Sequence, residues 1–275
     1  RRERFLTGGS AVVAAASQGG GAYVIPSSIQ PKENEIWIAD TTNTRVVVLD
    51  LNGNFKREFY VDSPMDLFVY NDLVYISNNY GPRRISVYDL NGNLVREWSV
   101  DDQNNDINGI FVYHDKVYVA RYYGTYDEGK ILIYDLSGNY INGFNANYAW
   151  DVWVYNDRIY YTYEGNSIGI AELDGTPVDS YNLYLDYGLS LSADSLCVYN
   201  NNIYITCGND NALVMIDING NLIGTYSADV GNAGICPYAN EIYVINRYDG
   251  IYVYDLNFTL LRTLPNYSGY GIYVY

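Results

Sequence analysis

Val46-Val47-Val48-Leu49-Asp50-Leu51-Asn52-Gly53 joins an apolar run to a carboxylate and then to an Asn-Gly turn. The arrangement returns as Ile85-Ser86-Val87-Tyr88-Asp89, Ile131-Leu132-Ile133-Tyr134-Asp135, Ile168-Gly169-Ile170-Ala171-Glu172, Leu213-Val214-Met215-Ile216-Asp217 and Ile251-Tyr252-Val253-Tyr254-Asp255. Six copies thus stand roughly forty residues apart. Short apolar runs bounded by turn residues read as strands. Several such strands per unit, repeated at this period, mark a β-propeller or similar array, in which each unit buries its faces only by stacking on its neighbours.

Working outward from the motif, each repeat supplies four strand signals. Leu67-Phe68-Val69-Tyr70 meets Leu73-Val74-Tyr75-Ile76 through Asn71-Asp72, and the same tight turn recurs as His114-Asp115, Asn156-Asp157 and Asn200-Asn201. Asn and Asp tolerate the left-handed backbone that two-residue hairpins demand. The motif itself is the third strand, and it turns into the fourth at Asn52-Gly53, Asn91-Gly92, Ser137-Gly138, Asp174-Gly175 and Asn219-Gly220. The sixth copy has Asn257-Phe258 instead, which predicts a different turn there. Superposed repeats also align two aromatic ladders. Tyr70, Tyr113, Tyr155, Tyr199, Tyr238 and Tyr275 close the first strands, whereas Trp37, Tyr75, Tyr118, Tyr160, Tyr204 and Tyr243 sit in the second. Repetition at every unit assigns both ladders to structure rather than to a ligand platform.

The expected fold is all-β: a six-bladed β-propeller of four-stranded blades over residues 27–275, with an N-terminal extension over residues 1–26. Blade 1 lacks a first strand of its own, and Gly271-Ile272-Tyr273-Val274-Tyr275 is a first strand without a blade. The C-terminal strand is therefore expected to complete blade 1, which removes an exposed sheet edge. Residues 23–34 are the alternative donor of that strand, which would leave residues 270–275 free to pair with another subunit.

Ile36-Trp37-Ile38-Ala39-Asp40-Thr41-Thr42-Asn43-Thr44-Arg45-Val46-Val47-Val48-Leu49-Asp50-Leu51-Asn52-Gly53-Asn54 resembles an NHL repeat: an apolar strand, Ala-Asp, a polar loop, Asn-x-Arg, a second strand and a Gly turn. Blade 2 keeps Arg84 without the Asn, and later blades keep neither. The resemblance extends over residues 35–275 as architecture and over blade 1 as close sequence. It implies a six-bladed propeller of the NHL or related YVTN-like kind, a class used mostly for binding and scaffolding, with a few lyases.

Tyrosine dominates the composition, with 33 copies against 7 Phe and 4 Trp, and the formal charge is −16. Only 4 of the 16 basic residues are lysines. Nucleic acid is excluded as a partner, because a binder must neutralise phosphates with Lys and Arg. No apolar run reaches the length of a transmembrane helix. Cys197 and Cys236 occupy equivalent positions in successive repeats and are expected to point the same way round the ring, not at each other. With Cys207 they read as buried free thiols.

Residues 1–26 differ from the rest. Arg1-Arg2-Glu3-Arg4 precedes Phe5-Leu6 and then a Gly- and Ala-rich stretch containing Val12-Val13. One reading is an export signal of the twin-arginine type. The other is a retained arm, in which Phe5, Leu6, Val12 and Val13 order against a partner subunit and Ser10-Ala11-Val12-Val13-Ala14 is a donated strand. Both place the protein outside the cytoplasm. Asn257-Phe258-Thr259 and Asn266-Tyr267-Ser268 fit the glycosylation sequon, giving Asn257 and Asn266 as acceptor sites compatible with that setting.

Chemistry is sparse. The single histidine, His114, falls in a hairpin turn, so a multi-histidine metal site is impossible. Loop carboxylates remain, and Asp66, Asp151 and Asp194 stand at or beside the start of first strands, nearest the channel. They are candidate Ca²⁺ ligands, although such an ion wants about six to eight oxygens and no Asp-x-Asp-x-Asp-Gly loop is present. Otherwise no cofactor is expected. The long loops 78–84, 121–130 and 182–195 carry Tyr80, Tyr122, Tyr123, Tyr126, Tyr184 and Tyr187 among Asn and Gly, the mixture of an adaptable recognition surface.

The function expected from these residues is non-enzymatic. The chain reads as an extracellular propeller subunit of a surface filament, surface layer or virion, joined to its neighbours through the N-terminal arm as a homo-oligomer or polymer. A secreted monomeric module binding a glycan or protein on the long-loop face is the first alternative. A lyase or hydrolase using loop carboxylates is the second.

Overall fold

The computed structural model describes residues 34–79, 83–100, 106–122, 129–228, 231, 234–248, 250–265 and 267–275. Among them are six four-stranded antiparallel sheets, each built from strands consecutive in sequence except one. That one is blade 1, in the order Gly271–Val274, Glu35–Asp40, Arg45–Asp50, Phe55–Tyr60. The remaining blades begin at Pro64–Tyr70, Ile107–Tyr113, Val152–Tyr155, Ser195–Tyr199 and Gly234–Tyr238. These six inner strands touch one another in cyclic order, so the sheets form a closed six-bladed β-propeller.

Closure uses the last strand. Ile36 pairs with Val274 and Ile38 with Ile272, and Glu35 and Tyr275 exchange both backbone hydrogen bonds at 2.8 and 2.9 Å. The pairing is antiparallel and two-sided, so neither strand leaves an open edge at the seam.

The recurring carboxylate of each repeat is a turn former. Asp50 Oδ1 accepts from the amides of Asn52 and Asn54, each at 2.9 Å, and its Oδ2 accepts from Asn54 Nδ2. Asp89, Asp135 and Asp217 repeat the arrangement. The following glycine has positive φ and also receives a side chain from the preceding blade. A Cβ on Gly92 would lie 2.5 Å from Phe59, and one on Gly138 would lie 2.6 Å from Trp98. Gly175 and Gly220 receive Phe144 and Tyr181 in the same way. Blade 6 inverts the device. Phe258 adopts φ 58°, and its buried ring enters a cage of Tyr204, Tyr226 and Tyr254, with centroids at 5.4, 5.3 and 5.9 Å.

Both aromatic ladders are structural. The tyrosine closing an inner strand donates to the next blade's hairpin turn: Tyr113 to Asp157 at 2.8 Å, Tyr155 to Asn201 and Tyr199 to Asn240 at 3.2 Å, and Tyr275 to Asp72 at 3.4 Å. The second ladder is buried, and outer-strand arginines stack on three of its rings, Arg57 on Trp37, Arg96 on Tyr75 and Arg262 on Tyr243. In blade 1 the NHL-like residues fold on themselves. Asp40 accepts from Asn43 Nδ2 and from Arg45 Nε at 2.7 Å, while Thr44 takes the left-handed conformation.

Candidate functional site

One inner-strand position varies between glycine, aspartate and serine from blade to blade. Round the ring it reads Gly271, Asp66, Gly109, Asp151, Ser195 and Gly234. Three glycines are needed because the strands approach closely here. A Cβ on Gly271 would meet Asp66 Oδ1 at 2.4 Å, and one on Gly109 would meet Asp151 Oδ1 at 2.4 Å. Each aspartate therefore lies with one oxygen against a glycine of the preceding blade. The other oxygen reaches the following blade: Asp66 Oδ2 accepts from the Ile110 amide at 3.0 Å, and Asp151 Oδ2 from the Leu196 amide at 2.9 Å. The Ser195 hydroxyl also donates to Asp151 Oδ2. Asp66 and Asp151 are thus staples between neighbouring inner strands as well as wall residues.

Asp66, Asp151 and Asp194 line a single cavity of ≈ 140 Å³. Its wall also includes Asn108, Trp150, Ser192 and Tyr270. Below it the channel is stoppered by inward-pointing aromatic residues. Tyr273, Phe68, Phe111 and Trp153 follow one another round the axis with centroid separations of 4.4, 4.3 and 4.6 Å. Cys197 and Cys236 stand at the same level of the inner strands of blades 5 and 6, paired in register with Tyr204 and Tyr243, and the Cys236 thiol accepts from the Val274 amide at 3.4 Å. Both thiols are free and buried, and burial pushes both pKa values up.

Low-polarity surroundings dominate the carboxyl groups as well. Burial, reinforced by the charge of Asp151, pushes Asp66 well above the usual carboxylate range. Burial raises Asp151 to about 6, against the lowering effect of the Ser195 hydroxyl and the Leu196 amide. Asp194 also rises to about 6 through burial, opposed by the backbone amides of Gly208 and Asn209. Its Oδ2 accepts from Gly208 at 2.6 Å, so it caps the short turn Gly208–Asp210 one residue ahead of the Asp66 and Asp151 level. Among the described residues no three His, Cys, Asp or Glu side chains form a group able to hold a metal.

The loop tyrosines separate. Tyr122 stacks on Tyr148 and on Trp150 of the cavity wall, with centroids at 5.5 and 5.1 Å. Tyr187 turns away to donate to the Gly220 carbonyl at 2.9 Å, and Tyr184 is exposed on the short helix Leu183–Tyr187. Tyr80, Tyr123 and Tyr126 lie outside the described residues, as do Phe5, Leu6, Val12, Val13 and Asn266. Asn257 is exposed in the outer turn of blade 6, where its amide donates to Asp255. His114 is exposed in its hairpin turn at φ 52°, 3.9 Å from Asp157 and remote from the cavity lining.

Sequence reasoning did not find Asn108, Trp150 or Tyr270. Trp150 directly precedes Asp151 and Asn108 directly precedes the tight Gly109, so the signal was adjacency to inner-strand starts.

No family model matches the sequence, and no curated protein sequence matches it. Among solved structures, the chain is similar to a protein of unknown function from Bacteroides caccae, at 9% identity and TM-score 0.69, over 88% of this chain and 99% of that one. It is similar to streptogramin B lyase at 16% identity and TM-score 0.65, over 86% and 82%. A nidogen/laminin complex supplies another likeness, at 13% identity and TM-score 0.68, over 88% and 98%. At such identities the likeness concerns the propeller fold alone.

Proposed function

We propose that this chain is a non-enzymatic interaction propeller of the NHL kind, working outside the cell as a subunit of a larger assembly. One observation carries the reading. Each outer strand, the unpaired edge of its sheet, opens with exposed apolar residues: Phe55, Leu94 and Val95, Tyr140 and Ile141, Val178, Leu222 and Ile223, Leu260 and Leu261. These side chains are between 38% and 58% exposed. A scattered exposed Leu carries no meaning, but the same offering in all six blades, on edges with free backbone groups, is the surface that strand addition and lateral packing use. The exposed position of His114 in a hairpin turn, and the commitment of Asp66 and Asp151 to backbone amides, support a binding role over turnover.

Light scattering on the full chain tests the assembly. Removing residues 1–26 is expected to dissolve it while leaving a folded propeller, and Leu94→Glu with Val95→Glu is expected to weaken it at one blade. An oligomer unchanged by both, or a full chain that is monomeric at every concentration, rejects the proposal.

A further inference from the structure

The six outer strands are not equally open to another chain. A sheet edge is kept from pairing by charged side chains or by proline, and four of the six carry such residues. Phe55–Tyr60 holds Lys56, Arg57 and Glu58, and Leu94–Ser99 holds Arg96 and Glu97. Pro177–Asn182 opens on Pro177 and adds Asp179, and Leu260–Pro265 combines Arg262 with Pro265. The remaining two hold neither charge nor proline. They are Tyr140–Asn145 in blade 3 and Leu222–Ser227 in blade 5.

The two unguarded edges share one build. Each begins with a pair of exposed apolar residues, Tyr140 and Ile141 in one, Leu222 and Ile223 in the other. Each then turns an aromatic ring toward the following blade, Phe144 onto Gly175 and Tyr226 onto Phe258. The strand is thus anchored to its own propeller while its outer backbone groups stay unpaired. A six-residue segment of β-favouring residues without charge or proline is the kind that pairs with a like segment.

Charge identifies the visitor. The chain carries a formal charge of −16, so two copies repel each other as wholes. A neutral edge against a neutral edge desolvates no ion and opposes no like charges, which the other four edges cannot offer a second copy. Every copy that exposes one unguarded edge also exposes the other, and blade 4 stands between them, so both can be used at once.

We propose that each copy docks two further copies of this chain, one at the Tyr140–Asn145 edge and one at the Leu222–Ser227 edge, by strand pairing that joins two four-stranded blades into one eight-stranded sheet. The inference rests on the assembly read above and assigns its strand pairing to blades 3 and 5, leaving side-chain packing to the others.

Amide hydrogen exchange on the full chain, compared between its assembled and diluted states, locates the pairing. Amides of residues 140–145 and 222–227 are expected to exchange about tenfold more slowly on assembly, a larger change than in any of the other four outer strands. Ile141→Lys and Ile223→Lys, at half-exposed positions, give each edge the charge that the guarded ones carry. Each is expected to stop growth at dimers or smaller, and the two together to leave folded monomers with an unchanged melting temperature. The native thiols are buried. A bismaleimide is therefore expected to link copies of an Ile141→Cys, Ile223→Cys chain into species larger than the dimer. An intact assembly without excess protection at these two strands overturns the proposal and leaves the assembly reading standing. Protection without such links means that another segment occupies the edges, and it also overturns the proposal. A full chain that is monomeric at every concentration removes both.

Discussion

Asp66 and Asp151 stand where three other blades have glycine, so the same position closes the ring in one blade and charges the channel in another. Their neighbour Asp194 offers the cleanest test of what burial does to these groups, because its hydrogen bonds come from backbone amides that a side-chain amide oxygen also satisfies. A carboxyl whose folded pKa lies above its unfolded value binds protons more tightly in the folded state. Stability from such a group is therefore lost as pH rises from about 4 to about 6, the window set by the raised Asp151 and Asp194. The turn-forming Asp50, Asp89, Asp135, Asp217 and Asp255 act oppositely. Asparagine side chains and backbone amides lower the pKa values of the first four, and the Thr259 and Asn257 amides with the Thr259 hydroxyl lower that of Asp255, so their contribution is lost as pH falls through the lowered values. The melting temperature is expected to peak near about pH 4–5, between the two effects. Asp194→Asn is expected to raise it at pH 7.5 and flatten the decline on the alkaline side. Thermal melts across pH check both, and a wild-type maximum at pH 7 or above contradicts the assignment.

At the scale of the element, the outer turn shows how one residue is read twice. Gly92 needs positive φ for its hairpin and needs no side chain because Phe59 occupies the space. Gly92→Ala is expected to destabilise by about 2–4 kcal/mol, combining a left-handed alanine with an overpacked ring. Denaturant unfolding measures it, and a cost below about 0.5 kcal/mol would show that Phe59 moves aside freely. Phe258 sits at the equivalent turn and inverts the balance. Phe258→Gly relieves the backbone but empties the cage of Tyr204, Tyr226 and Tyr254, for an expected net loss of about 2–3 kcal/mol. The departure at Asn257-Phe258 was visible as a departure, yet its reason was not. Tyr226 and Tyr204 belong to another blade, and no local pattern announces a partner some thirty to fifty residues away.

Taken whole, the molecule depends on one seam. Deleting residues 271–275 uncovers Ile36 and Ile38, which lie at 0% exposure, and cuts the Tyr275 link to Asp72 in the next blade. The truncated chain is expected to lose the single cooperative melt of the intact ring, because each blade buries its faces only against its neighbours. Tyr275→Phe, which keeps the strand and removes one long hydrogen bond, is expected to cost only about 0.5–1 kcal/mol. Equal effects of the two changes would mean that the hydroxyl, and not the strand pairing, holds the seam.

Blades, hairpins and the borrowed strand were legible because they rest on local chemistry. Alternating apolar runs have a period, Asn-Gly turns have a backbone requirement, and an unmatched first strand at Gly271–Val274 fits the blade that lacks one, a pairing the structure decides over residues 23–34. The carboxylates nearest the channel were legible for the same reason, since their place in the repeat gives their place on the axis. What the tertiary structure alone decided is which groups end up satisfied. Asp66 and Asp151 are tied to amides of the following blade, Tyr122 leans on Trp150 while Tyr187 turns outward, and Asn108 is left with a donor that Asn79 cannot take. Hydrogen-bond satisfaction is a property of neighbours brought together by ring closure, so it cannot be counted along the chain.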